Sequence, residues 1–289
     1  MQDLRKKIII GSAQFGLDYG VNNGKIVGKK EVSDILGVAN QNGIFDIDTA
    51  TDYGRSQAVL GSVNKKRSGF KFISKVSRAE NKRDLKFKIE QCLEDLGVDS
   101  LEALLIHDFN FFKSNQWFYD AMLEMRETAM FKKIGFSLYF PEELSYLLDR
   151  KLKFDIVQIP YNVFDRRFES YFKCLVDLGV EIHVRSVFLQ GLFFLEDKIL
   201  KEKFSLLYNN VKELQNICLK NNLKLHELLL NFVLNREEVS KLVLGIDSKE
   251  QLLLNLKALG RFEVTKSIMD KLRDKAVLDE SLILPINWK

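Results

Sequence analysis

Residues 44–61 read IFDIDTATDYGRSQAVLG. The stretch opens on the short run Ile44–Asp48, then passes at once into a loop carrying Tyr53 and Gly54. Most runs of this kind along the chain are continuously apolar, which is how strands covered on both faces read. Upstream, Lys30–Gln41 sets Val32, Ile35, Leu36, Val38 and Ala39 on one side at helical spacing. The same alternation recurs along the chain. Candidate strands are Lys7–Ile10, Ile44–Asp48, Phe70–Lys75, Ala103–His107, Lys133–Ser137, Ile156–Ile159, Glu181–Ser186 and Lys241–Leu244. Helical patterns cover Lys82–Leu96, Pro141–Leu148, Glu169–Leu178, Leu206–Lys220, Leu225–Leu234 and Lys249–Leu259. Pro141 suits a first helical position and Gly179 a helix stop.

Eight strands, each followed by helix, within 289 residues point to an α/β chain folded as a (β/α)8 TIM barrel. One domain over residues 1–289 is expected, with a short C-terminal helical tail from about Thr265 that closes part of one end. A doubly wound sheet would carry about six strands and an early glycine-rich phosphate loop. Neither GxGxxG nor GxxxxGKS/T occurs.

Composition narrows the classes further. Hydrophobic residues at 46% and charged ones at 29% exclude a disordered chain, which cannot bury enough apolar surface to offset its ordering entropy. The 44 basic and 40 acidic residues leave +4, and clusters such as Lys29-Lys30, Lys65-Lys66-Arg67 and Lys132-Lys133 are short and scattered. A nucleic-acid binder would concentrate that charge, so no nucleic acid is expected as a partner. Cys92, Cys174 and Cys218 are far apart and odd in number, which reads as buried or partly buried free thiols of a reducing compartment. No apolar run reaches the ~18 residues of a membrane span, and MQDLRKKIIIGSAQ is too poor in apolar residues for a signal-peptide core. A soluble cytoplasmic protein is expected, without membrane partners.

In a barrel, residues at the C-terminal strand ends face the active-site mouth. Asp48 ends the second strand, Lys75 the third and His107 the fourth, with Tyr53 in the loop beside them. A lysine following Phe72 and Ile73 in a buried strand needs a partner for its charge, and Asp48 on the adjacent strand is the nearest by topology. Each residue has a bland alternative: Asp48 bonding turn amides, Tyr53 packing in its loop, Lys75 reaching solvent, His107 satisfied in the core. The argument lies in their joint arrival at one end.

The sequence resembles the aldo-keto reductase superfamily. The matching pieces are IDTATDYGRSQAVLG, ISK, LLIHDF, KKIGFS, VQIPYNVFD and VLGIDSKEQLLLN, in order from Gly11 to Asn255, with 22 residues from Tyr53 to Lys75 and 54 from Tyr53 to His107. The resemblance implies a catalytic tetrad of Asp48, Tyr53, Lys75 and His107. Tyr53 would protonate a carbonyl oxygen, its pKa lowered by the Lys75 ammonium, while Asp48 holds Lys75 and His107 donates a hydrogen bond to that oxygen.

It also implies a nicotinamide dinucleotide, NADPH ahead of NADH, and a small-molecule carbonyl substrate such as a sugar or sugar derivative. Ser137 and Gln158 match the carboxamide-binding residues, and Gly191 a close approach to the pyrophosphate. Gly245 to Ser248, with Gln251 and Asn255, match the adenosine end. Departures are Leu138, where asparagine often follows the serine, Ser186, about where an aromatic often stacks on the nicotinamide, and Gly245 and Gln251 in place of a phosphate-clamping lysine and arginine. Asp247 adds a negative charge there, and Lys249 is the local cation. Phe109, Phe111, Phe112 and Trp117 read either as an apolar substrate wall or as rings fixing a loop. Trp288 either reaches the same region or caps the barrel, and Arg166 and Arg167 read as surface charges. The rival readings are a catalytically idle regulatory or binding subunit and a Schiff-base lyase using Lys75.

Overall fold

The computed structural model describes residues 3–18, 20, 26–64 and 69–288, so the basic run 65–67 lies outside the described residues. Eight strands, β1 (Ile8–Gly11), β2 (Asp46–Asp48), β3 (Lys71–Val76), β4 (Leu101–Ile106), β5 (Phe131–Ser137), β6 (Ile156–Pro160), β7 (Glu181–Arg185) and β8 (Val239–Gly245), pair in sequence order. All neighbours are parallel, and β8 closes on β1 with Gly245 opposite Gly11. The (β/α)8 TIM barrel expected from the strand count is the observed fold.

Strand residues alternate between the lumen and the outer shell. Outward side chains join the large core shared with the helices, while Ile9, Ile73, Ala103, Leu105 and Ile156 form a separate small plug. Toward the strand starts the same series turns ionic, with Lys133 bonded to Glu181 at 2.7 Å and Lys241 to Asp46 at 2.5 Å. Toward the strand ends it turns polar again, with Asp48, Lys75 and Gln158 buried. The apolar reading of the strands therefore holds for the outer face and the middle of the lumen, and fails at both of its ends.

Four helices have no counterpart among the expected ones: α2 (Ser56–Asn64), α4 (Phe109–Ser114), α5 (Trp117–Glu127) and α8 (Asp197–Lys203), against the expected α1 (Lys29–Gln41), α3 (Lys82–Leu96), α6 (Pro141–Asp149), α7 (Phe172–Asp177), α9 (Ser205–Lys220), α10 (Leu225–Leu234) and α11 (Lys249–Ala258). The aromatic run after β4 is helical because its rings pack inward. Phe112 meets Phe136 at 5.1 Å and Phe109 meets Tyr146 at 5.5 Å. These rings fix α4 to the barrel.

Gly61 lets α2 lie on α3. A Cβ there would stand 1.9 Å from the Asp95 carbonyl oxygen. Alanine at a mid-helix glycine ordinarily stabilises by about 1 kcal/mol. Gly61→Ala should instead destabilise by about 1–3 kcal/mol, because backbone must move to admit the methyl. The urea midpoint reads the sign directly.

The tail follows α11 as α12 (Phe262–Lys266), a 3-10 turn at Met269–Leu272 and α13 (Glu280–Ile283). It docks on the loop after β6, at the mouth end: Val277 N–H donates to Phe164 O at 2.9 Å, Arg166 donates to the Leu272 and Arg273 carbonyls, and Arg167 pairs with Glu280 at 3.1 Å. Arg166 and Arg167 are thus tail clamps, contrary to the surface reading: each guanidinium holds a local acceptor, Val163 O or the Asp165 carboxylate, and reaches across to the tail with its remaining N–H groups. Trp288 packs on Phe204 at 4.8 Å and bonds Leu282 O. Cys92 and Cys218 are buried and Cys174 is exposed, so the partly buried expectation fails for Cys174. No helix among the described residues is long and apolar enough to cross a membrane.

Candidate active site

Asp48 is the last residue of β2 and Lys75 the fifth of β3. The register sets Asp48 opposite Ile73, so Lys75 lies one inward-facing step further along the neighbouring strand. Its amine, wholly buried, reaches Asp48 Oδ1 at 2.5 Å, Thr49 O at 3.0 Å and Tyr53 Oη at 3.4 Å. The second Asp48 oxygen accepts from Gln158 Nε2 at 2.7 Å. A buried charge is tolerated when paired and bonded in this way. The Lys75 amine is aimed at these three acceptors and does not line the cleft, which argues against a Schiff-base role.

The proton affinities differ from the expected ones. Burial pulls the Lys75 ammonium below its ordinary range, against Asp48. Tyr53 is held well above the ordinary phenol value, first by burial and then by the Asp48 carboxylate, with Arg185 pulling the other way. The expected lowering by Lys75 does not appear, because a carboxylate 2.5 Å away answers that charge before the phenol feels it. Tyr53 therefore keeps its proton throughout the neutral range.

His107 follows β4 and meets the Tyr53 ring edge-on at 5.9 Å. The Ser77 hydroxyl donates to Asp52, so its lone pair faces His107 Nδ1 at 3.3 Å, with Asp52 Oδ2 3.6 Å from the same nitrogen. This sets the neutral ring as the Nδ1–H tautomer, and Nε2 donates only in the imidazolium form. Burial keeps the ring below its ordinary value, Asp52 opposes, and Lys75 and Arg185 add to the downward push. His107 and Ser77 in turn hold the Asp52 carboxyl at about 2.

Asp52→Asn should move the His107 titration to lower pH, since the carboxylate that favours the imidazolium is gone. With three histidines in the chain, ring-proton NMR resolves it. The stability that Asp52 contributes is present above its ordinary carboxylate value near 3.8 and is lost as pH falls through about 2, so the variant's stability should fall less steeply over that window.

A cleft of about 340 Å³ opens at this mouth, lined by the ends of β1, β2, β6, β7 and β8. Asp48, Tyr53, Gln158 and Arg185 line it together with Ser186, Gly191, Gly245, Asp247 and Gln251. Because β7, β8, β1 and β2 are consecutive around the ring, the cleft is elongated along the rim. The loop after β7 is conformationally strained there: Ser186, Leu189 and Gln190 take positive φ beside Gly191 at +92°.

Three expected cofactor residues do not line the cleft. Ser137 is buried at the end of β5. Ser248 is consumed as the N-cap of α11, accepting from Gln251 N–H. Asn255 lies buried on α11 with its Nδ2 unpartnered. Lys75 is wholly buried beside Asp48 and Tyr53, and His107, partly buried, is not among the residues lining the cleft. Arg185, Asp52, Ser77 and Phe188 escaped the sequence reading.

A profile of the Aldo/keto reductase family matches residues 7–276. Among solved structures, the holo form of an aldo-keto reductase from Bacillus halodurans superposes with a TM-score of 0.76 at 21% identity, covering 96% of this chain and 95% of that one. Its apo form gives 0.71 at 22% identity, covering 88% and 90%. A Pseudomonas aeruginosa structure, provisionally named an aldo-keto reductase, gives 0.69 at 20% identity over 89% and 90%. At these identities the structural likeness is one of fold.

Proposed function

This chain belongs to the aldo/keto reductase family, and from that premise we propose that it reduces an aldehyde or ketone to an alcohol, or runs the reverse, with a nicotinamide dinucleotide. The observation that carries the reading is the Tyr53 hydroxyl, 3.4 Å from a buried lysine paired to Asp48 and standing at the wall of an elongated cleft. Tyr53 gives its proton to the carbonyl oxygen as negative charge develops there. Lys75, held by Asp48, fixes the hydroxyl through its 3.4 Å contact. His107 meets the Tyr53 ring edge-on and, at a pH low enough to form its imidazolium, offers a second donor.

The residues present suit such a cofactor. Glycines 11, 191 and 245 keep the cleft floor clear, and a Cβ at Gly245 would press into the Gln14 side chain at 2.4 Å. Gln158, its amide oriented by Asp48, keeps its oxygen for a carboxamide. Ser186 would lie by the nicotinamide, Gly191 would face the phosphates, and Gly245 and Gln251 the adenosine. When bound, the nicotinamide supplies the hydride that no side chain can donate.

NADPH stays ahead of NADH on the family resemblance. The local lining carries Asp247, and Lys249 has Asp34 and Glu250 within 4 Å, which suits an unphosphorylated ribose better. The test is titration of the protein with NADPH and with NADH by nicotinamide fluorescence, followed by turnover of a generic aldehyde. Tight binding of one and oxidation of it by aldehyde are expected; binding of neither overturns the reading.

A further inference from the structure

We propose, resting on the reductase reading, that Arg185 anchors an oxyanion on the substrate, so that the cleft takes a carbonyl compound bearing a carboxylate or a phosphate group. Arg185 ends β7 in the inward-facing series Glu181, His183, Arg185 and stands at the cleft wall with Tyr53 and Gln158. Its guanidinium is held from two sides. One Nη2 hydrogen bond of 2.9 Å goes to Leu138 O, and the plane lies over the Tyr139 ring at 4.0 Å. Those contacts orient it and leave most of its five N–H groups unused.

No carboxylate lies within ion-pair distance of it among the described residues, although twenty-five other cation–acid contacts are made. Glu143, an acid that feels its charge, spends its oxygen on the Tyr139 and Phe140 amides that begin α6. At the reacting end Lys75 is answered by Asp48, and Asp52 accepts from Ser77 beside His107. Arg185 is left as a half-buried cation lining the cleft with no acid of its own among the described residues. Such a charge is costly unless something pairs with it, and a fork of this geometry matches carboxylate and phosphate oxygens. Arg185 and Tyr53 line the same cleft, which places the anion within reach of the carbonyl to be reduced.

The test compares matched aldehydes: 4-carboxybenzaldehyde against its methyl ester, and glyceraldehyde 3-phosphate against glyceraldehyde, with wild type, Arg185→Met and Arg185→Lys. We expect kcat/KM at least tenfold higher for one charged member of a pair. Arg185→Met should lower kcat/KM for the charged member at least tenfold more than for the neutral one, and Arg185→Lys should restore part of that difference. Which pair responds separates carboxylate from phosphate. No charge preference in wild type, or a parallel loss on both members, overturns the proposal. So does a loss of NADPH and NADH affinity as large as the loss in kcat/KM, since the arginine would then serve the cofactor's phosphates. If no aldehyde is turned over, the reductase reading fails by itself. Calorimetric binding of 4-carboxybenzoate then decides the anion site: tenfold weaker binding to Arg185→Met sustains it, and equal or absent binding overturns it.

Discussion

Tyr53→Phe should lower kcat for carbonyl reduction by about 10²–10³ or more, with cofactor affinity within about twofold of wild type. Removing one donor to a developing oxyanion ordinarily costs that range, and here the lost group also carries the transferred proton. The variant is a clean one structurally. Lys75 retains Asp48 at 2.5 Å and Thr49 O at 3.0 Å when the phenol oxygen is removed, so the buried pair survives. Burial and Asp48 hold the Tyr53 proton well above the ordinary phenol range, which gives the free enzyme a second signature: no loss of reduction rate from Tyr53 ionisation below about pH 10, the ordinary tyrosine value. Steady-state rates of wild type and variant across pH 6–10, with fluorescence titration of the cofactor, check both parts. A kcat within tenfold of wild type would remove Tyr53 from the proton-transfer role.

The barrel was legible because its signal is repetitive: eight buried runs at regular intervals reinforce one another. The ionisable strand ends were legible for the opposite reason. Asp48, Lys75 and His107 each interrupt an apolar run where a polar side chain is expensive. Arg185 gave no such signal. It closes a run that already contains Glu181 and His183, and its distinguishing property is the lack of an acid partner, which only packing across strands reveals. Asp52 and Ser77 are 25 residues apart and become neighbours of His107 only once β2, β3 and β4 lie side by side.

The cofactor residues divide along similar lines. Gln158, Ser186, Gly191, Gly245 and Gln251 sit at strand ends or in the loops after them and in the first turn of α11, where position in the chain predicts the face. Ser137 and Asn255 depend on the rotation of a strand end and of a helix, which spacing does not resolve, and Ser248 is claimed by its own helix. The direction of the Tyr53 shift was the hardest to foresee. Burial sets its upward direction, Asp48 and Asp52 add to it, and only Arg185 opposes, while the nearest ammonium is already answered by Asp48 at 2.5 Å.

That contact carries the second large effect. Asp48→Asn should destabilise the fold by about 3–5 kcal/mol, because it leaves the Lys75 ammonium buried without its anion. For a chain of this size the expected fall in melting temperature is roughly 10 °C. The activity should fall as well, since Asp48 positions both Lys75 and, through Gln158 at 2.7 Å, the wall of the cleft. The sign of the pH dependence separates charge from shape. A lysine whose folded pKa lies below its unfolded value binds fewer protons folded than unfolded, so stability rises with pH between the two values. Burial already lowers Lys75 in the wild type, and loss of the carboxylate lowers it further. The deficit of Asp48→Asn should therefore be larger at pH 7 than near pH 10, where the folded lysine is free to shed its proton. The double variant Asp48→Asn with Lys75→Met removes the stranded charge and should recover much of the lost stability, giving a coupling between the sites well beyond the few tenths of a kcal/mol of independent positions. Chemical denaturation of the four proteins at both pH values measures it. Additive losses, equal at the two pH values, would mean that the residues contribute by shape and hydrogen bonding alone, and that the lysine beside Tyr53 is not held charged by Asp48.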